Sequence, residues 1–165
     1  MSKSIRHEMR YDGATVAQVY AMLADKSFRE EVCEFQRVKR HDVVIAPKGG
    51  DVANGMDVTV DQVQTPHGIP SFAQKIVGDE IGILQEEDWT STDQAGLTVA
   101  IPGKPGEMTG TITLAEDDGG VTETVAVTAK VSIPLVGGKL EGLITDLLVK
   151  ALKAENKVGR DYLAR

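Results

Sequence analysis

Polar residues at positions that should face the protein interior are the chemically useful feature of this sequence. Glu123 falls on the apolar face of one alternating segment, and His7 shares the apolar face of another. Gln85 and Glu87 share a face with Trp89 in a third segment. An unpaired buried polar group costs about 1–3 kcal/mol and an ion costs more, so these residues need a partner or a cavity that contains water.

Two interpretations of these residues follow from the pattern. In one, Glu123 lies in solvent near a strand end, His7 bonds to a backbone group, and a bulge turns Glu87 outward. In the other, His7, Gln85, Glu87 and Glu123 are the few polar anchors of a ligand pocket with an otherwise apolar wall. If the first and last strands are neighbours, the imidazole of His7 and the carboxylate of Glu123 could also meet as a general base and its orienting group.

Sequence motifs for metal, nucleotide and nucleophilic chemistry are absent. The segment 7–11 starts like the helix of a zinc protease, but Tyr11 stands in place of the second histidine. The sequence contains no nucleophile elbow, phosphate loop or dinucleotide fingerprint. Lone Cys33 cannot form an internal disulfide, and its short helix favours a small core residue over a nucleophile. We therefore expect no metal site and no cofactor.

Composition and charge narrow the classes of protein. The chain has 165 residues, a formal net charge of -7, and 25 carboxylates against 18 Lys and Arg. The acidic balance disfavours nucleic-acid binding, and no apolar run approaches the ~18 residues of a membrane span. The first residues lack the apolar region of a signal peptide. We expect a cytoplasmic protein with a single domain over residues 1–165, without stable membrane insertion and of unassigned oligomeric state.

Most of the chain has the period-two pattern of strands with one buried face. Turn clusters rich in Gly, Pro and Asp separate the alternating segments, which indicates antiparallel pairing of consecutive strands. The pattern predicts seven strands, near residues 4–11, 37–45, 56–64, 81–90, 97–101, 108–115 and 121–133.

Helical patterns follow the first strand and end the chain. Thr15 and Asp25 are placed to cap two short helices, the second with Phe28, Val32 and Phe35 on its apolar side. The pattern of residues 71–78 predicts a helical turn that ends at Gly78.

The last predicted helix begins near Lys139 and is long and amphipathic. Its apolar stripe, which includes Ile144, Leu147 and Ala151, should lie on the sheet with Leu147 buried at its centre. A basic set falls roughly opposite that stripe and is interpreted as a solvated face that complements the helix dipole. The set consists of Lys150, Lys153, Lys157 and Arg160.

The order of strand, two short helices, six strands and long helix resembles the helix-grip fold of the START-like (SRPBCC) superfamily. Three stretches are more narrowly similar to a bacterial START-like family of unknown function: Pro70 to Lys75, Gln85 to Trp89, and Ile133 to Glu141. The resemblance implies an α+β fold in which a curved, seven-stranded antiparallel sheet wraps around the last helix. It also implies a hydrophobic cavity between sheet and helix, and it brings no catalytic residues.

Three functional hypotheses follow from these observations. The first is a carrier or sensor of a small hydrophobic molecule, lipid or polyketide-like, and the second is a cofactor-independent enzyme of the polyketide cyclase or dehydratase kind. The third is an interaction module with a filled core. Trp89 should lie at the cavity wall or rim, so that its emission reports on ligand. The predicted ligand-binding residues are His7, Gln85, Glu87, Trp89, Glu123, Ile144, Leu147 and Ala151.

Overall fold

A curved antiparallel sheet of seven strands forms the body of the molecule. The structure is a computed structural model that describes residues 2–165. Consecutive strands from β2 to β7 pair with each other, and β7 also pairs with β1, which gives the order β1-β7-β6-β5-β4-β3-β2. This confirms the predicted fold class and strand number. The strands are β1 Lys3–Asp12, β2 Arg40–Pro47, β3 Met56–Gln64, β4 Ile81–Trp89, β5 Gln94–Ala100, β6 Glu107–Asp117 and β7 Gly120–Lys130.

Four α-helices accompany the sheet: α1 Val16–Leu23, α2 Lys26–Phe35, α3 Ser71–Val77 and α4 Gly137–Leu163. The predicted caps are present. The Thr15 side chain accepts a hydrogen bond from the Gln18 backbone N–H, and the Asp25 carboxylate accepts one from the Ser27 backbone N–H. Two short 3-10 turns, Lys48–Gly50 and Val52–Asn54, join β2 to β3.

Helix α2 buries a different face from the one that its phenylalanines suggest. Phe28 and Cys33 are buried, as expected, but Phe35 is 56% exposed. Arg29 takes part in the buried face, with only 6% of its surface exposed. The predicted stripe was therefore wrong at its C-terminal end, and a charged side chain lies in the core.

Helix α4 packs mainly against β1, next against α2, and to a smaller extent against α1 and β7. Its buried face is rotated by about one residue from the apolar stripe, and it includes Glu141, Thr145, Leu148 and Gly159. A Cβ at position 159 would lie 2.8 Å from the Tyr11 ring, so glycine permits the close contact of α4 with β1. Three residues of the predicted stripe, Ile144, Leu147 and Ala151, therefore face sideways, toward strands that the helix does not cover. None of the helices among residues 2–165 combines the length and apolar character of a membrane span.

Candidate functional site

The space between α4 and the uncovered inner face of the sheet is a cavity of about 620 Å³. Its apolar wall is formed by β4, β5, β6 and α4, because α4 leans toward β1 and leaves this part of the curved sheet without a partner. The principal apolar residues of this wall are Ile83, Val99, Met108, Ile144, Leu148 and Ala151. The end of α2 and the segment around α3 complete the enclosure. The volume lies within the range of about 300–1,000 Å³ that is common for small-molecule sites.

Four of the eight predicted site residues line this cavity: Gln85, Ile144, Leu147 and Ala151. Leu147 is 40% exposed, so the expectation that it would be buried at the centre of the helix contact was wrong. The rotation of α4 explains the difference, because Leu147 borders the opening while Leu148 and Leu152 are buried. The other four predicted residues, His7, Glu87, Trp89 and Glu123, lie outside the lining of the cavity. The ligand-binding role of all eight stays a prediction.

Glu87 is buried in a complete set of hydrogen bonds. Arg29 donates to both of its carboxylate oxygens, from Nη1 to Oε2 at 2.7 Å and from Nη2 to Oε1 at 2.8 Å. Gln85 Nε2 donates to Oε2 at 2.7 Å, and Trp89 Nε1 donates to Oε1 at 2.8 Å. Arg29 also donates from Nε to the Leu23 carbonyl. Since each charge has a partner, the Arg29–Glu87 pair can stay ionised in the core. The interpretation in which a bulge turns Glu87 outward is therefore wrong.

The electrostatics of this pair follow from its geometry. Burial alone would raise the pKa of Glu87, but the charge and hydrogen bonds of Arg29, with those of Trp89 and Gln85, hold that pKa below its ordinary value. Burial alone would lower the pKa of Arg29, and the adjacent Glu87 charge raises it above its ordinary value. The bidentate pair therefore connects α2 to β4, and Gln85 links it to the cavity wall.

Two further carboxyl groups lie near this pair, Glu123 on β7 and Glu155 on α4. Burial, followed by the charges of Glu155 and Glu87, raises the pKa of Glu123 well above its ordinary value. Burial raises the pKa of Glu155 to about 7, although Arg29 opposes that rise. Glu123 is 1% exposed, so the interpretation that placed it in solvent was wrong. We call Arg29, Glu87, Glu123 and Glu155 the interior acid cluster.

One atom of the interior acid cluster, Glu123 Oε1, has no hydrogen-bond partner among residues 2–165. The Tyr11 hydroxyl, on the neighbouring β1, also has none within those residues. Burial raises the pKa of each group, which favours the protonated form of both. Below about pH 7, where Glu155 holds its proton, the single arginine of the cluster balances the ionised carboxylate of Glu87.

His7 does not form the predicted base and orienter pair with Glu123. His7 is opposite Val125 in the β1–β7 register, and Glu123 is opposite Met9. Among the described residues, the structure gives no hydrogen bond between the two side chains. Burial and then the nearby charge of Lys153 lower the pKa of His7, so the imidazole is neutral at pH 7.

Trp89 lies in the core under α1 instead of at the cavity wall. It is fully buried, its ring packs edge-on against Tyr20 at a centroid distance of 5.5 Å, and its N–H bonds to Glu87. We therefore expect Trp89 to emit at short wavelength in the native protein and to keep that emission when a hydrophobic ligand fills the cavity. A fluorescence titration with dodecanoate tests this, and a clear spectral shift on binding would mean that ligand reaches Trp89.

Sequence reasoning missed Arg29 and Glu155, although each left a signal. Arg29 is four residues before Cys33 and directly follows Phe28, which places it on the buried side of α2. Glu155 is four residues after Ala151 and three before Val158, inside the apolar stripe of α4. A charged residue at such a position predicts a buried partner.

The mouth of the cavity is positively charged. Five of the residues that line the cavity are Lys or Arg, whereas Glu107 is the one carboxylate in that lining. All five cations are exposed, and they come from the end of α2, the β5–β6 loop and α4. We call them the rim cations: Arg37, Lys104, Lys150, Lys153 and Lys157. Three of them were expected on a solvated face opposite the apolar stripe, and the rotation of α4 places them beside the cavity.

A sheet that grips one long helix and leaves a cavity beside it defines a helix-grip protein. Within that class, the chain belongs to a protein family of unknown function, DUF2505, whose family model matches residues 6–163. An uncharacterized protein of Mycobacterium tuberculosis is 30% identical over 119 residues, which cover 66% of this chain and 67% of that protein. An uncharacterized protein of Mycobacterium bovis matches over the same length with the same identity.

Solved structures share the fold at low sequence identity. The Zhui aromatase/cyclase from Streptomyces sp. R1128 superposes with a TM-score of 0.67 at 11% identity, covering 100% of this chain and 95% of that one. A protein of Thermus thermophilus gives 0.64 at 19% identity, covering 96% and 95%. Norcoclaurine synthase from Thalictrum flavum gives 0.58 at 15% identity, covering 96% and 93%. These likenesses concern the fold alone.

Proposed function

We propose that this protein binds a small hydrophobic molecule in the cavity between α4 and the sheet, as a carrier or sensor of the START-like kind. The observation that carries the proposal is the cavity itself, with a volume of about 620 Å³ and walls from β4, β5, β6 and α4. A folded chain fills such a space when it can, because a void forfeits packing contacts. An unfilled apolar cavity with an opening is therefore best explained by a ligand.

The composition supports the same proposal. The chain has one Trp, three Tyr and three Phe, so few large rings are available to fill the interior. The largest of these, Trp89, is used in the core beside Arg29 and Glu87. On the cavity side, aliphatic residues such as Ile83 and Ile144 form the wall, and Gln85 is a polar residue that could orient a ligand.

A cavity-filling substitution tests the proposal. Ala151 lines the cavity from α4, so the indole of Ala151→Trp should occupy the space that a ligand needs. With the neutral probe N-phenyl-1-naphthylamine, we expect one saturable site in the wild type and an affinity at least about tenfold weaker in Ala151→Trp. Fluorescence titration measures both.

The matched control is Ala21→Trp, which adds the same ring at an exposed position on α1. It should bind the probe as the wild type does, and thermal melting should show all proteins folded. A second filling variant, Ile144→Trp, guards against a local misfolding of Ala151→Trp. Equal probe affinity in the wild type and both filling variants would contradict the proposal.

The catalytic alternative, a cofactor-independent cyclase or dehydratase, has less support. It requires an acid or base inside the cavity, but the titratable groups of the lining, His67, Glu107 and the rim cations, are all exposed. The interior acid cluster lies behind Gln85, outside the cavity lining. His7 also lies outside that lining. The favoured activity is therefore binding.

A further inference from the structure

We infer that the preferred ligand is an amphiphile with an anionic head group, its apolar part in the cavity and its negative charge at the rim cations. This inference rests on the proposed function and adds the charge of the ligand to it. The shared chemistry is a carboxylate, sulfonate or phosphate attached to an apolar body. The inference rests on the charged residues at the mouth of the cavity and not on its apolar wall.

The distribution of charge is the first observation. The whole chain is acidic, with a formal net charge of -7, yet the cavity lining has five cations and one carboxylate. A local reversal of sign around an opening concentrates ligands of the opposite charge at that opening. Since the rest of the molecule has a net negative charge, the rim is the favoured place for an anionic head group.

The pairing of the rim cations is the second observation. Within residues 2–165, Arg37, Lys104, Lys150 and Lys153 form no salt bridge, and Lys157 alone has a partner, Asp161 at 3.1 Å. By contrast, the exposed Lys39, Arg40 and Arg165 are each paired with a carboxylate. A ligand can therefore pair with four of the rim cations without first breaking a salt bridge of the protein.

The geometry of α4 is the third observation. Lys150, Lys153 and Lys157 are spaced by three and four residues, so they form one row along the helix. Ala151 and Ala154 lie beside this row and line the cavity. A ligand that packs its apolar part against these alanines therefore brings its head group next to ammonium groups, which a neutral ligand of the same shape cannot use.

Two probes with one aromatic frame test the inference. The first, 1-anilinonaphthalene-8-sulfonate, carries a sulfonate, and the second, N-phenyl-1-naphthylamine, lacks it. We compare the wild type with the rim variant Lys150→Gln/Lys153→Gln/Lys157→Gln. Exposed charge pairs contribute little individually, so three of them should together change the affinity for the sulfonate probe about tenfold. The neutral probe should bind both proteins alike, and added salt should weaken only the sulfonate probe.

A control variant removes the same number of charges elsewhere. Lys26→Gln/Lys139→Gln/Arg160→Gln changes three exposed cations that do not line the cavity, and two of them lie on α4. It should keep the wild-type ratio of the two affinities. If both probes bind the wild type but the rim variant keeps that ratio as well, the inference is overturned while the proposed function stands. If neither probe binds the wild type, the proposed function fails first.

Discussion

Arg29→Met is expected to lower the free energy of unfolding by about 3–5 kcal/mol, because it leaves the Glu87 carboxylate buried without its counter-charge. Arg29 makes both short hydrogen bonds to that carboxylate, and both side chains are almost fully inaccessible to solvent. The same substitution removes the cation that partly offsets Glu155 and Glu123. Urea denaturation at pH 7 measures the loss.

Two variants show whether the cost arises from a buried, unpaired charge. Arg165 and Glu31 form an ion pair of the same bidentate geometry, 2.9 Å for both bonds, at the surface. Arg165→Met should therefore cost about 1 kcal/mol or less. Arg29→Met/Glu87→Gln, which keeps an oxygen acceptor for Trp89, should regain more than half of the loss. A cost for Arg29→Met no larger than that for Arg165→Met would refute this account of the pair.

Glu155→Gln is expected to stabilise the protein at pH 8 and to leave its stability nearly unchanged at pH 4.5. The pKa of Glu155 is raised to about 7 in the folded protein from an ordinary value of 4.5, so the folded state retains a proton that the unfolded state releases. The stabilisation by this proton is complete below about pH 4.5 and is lost as pH rises through 7. A shift of this size corresponds to about 3 kcal/mol.

The measurement is the difference in free energy of unfolding between the variant and the wild type across pH 4.5 to 8. Taking the difference removes the contribution of other groups, such as Asp117, whose pKa lies at about 2 beside Arg10 and which titrates at more acidic pH. Glu34→Gln, which makes the same substitution at an exposed site on α2, is the control. If the difference in free energy of unfolding for Glu155→Gln does not change with pH, the carboxyl of Glu155 lies in solvent and this account is wrong.

The fold could be predicted almost completely from the sequence. Alternation, turn clusters and the caps at Thr15 and Asp25 are local signals, and each strand and helix formed where its local signal placed it. The ends moved by only a few residues. The fifth strand, for example, starts at Gln94 and not at Leu97, because pairing with β6 extends it through Ala95 and Gly96.

The candidate site was harder to predict because it depends on the rotation of one helix. Periodicity identifies the apolar stripe of α4, but it does not say whether that stripe faces the sheet or an open space. Here Leu148 is buried in the cavity wall, whereas Leu147 is 40% exposed at the cavity mouth. The partner of Glu87 could not be predicted for a different reason: Arg29 is 58 positions away in the sequence and meets Glu87 only in the folded protein.

The most direct test of ligand binding in the cavity is an NMR measurement of contacts between N-phenyl-1-naphthylamine and the methyl groups of the protein. We predict intermolecular nuclear Overhauser effects from the probe to the methyl groups of Ile83, Ile144 and Leu148, all of which line the cavity. Val44 and Leu135 are exposed outside the cavity and should give no such effects. Effects confined to those two residues, or the absence of any effect with the probe in excess, would contradict the account.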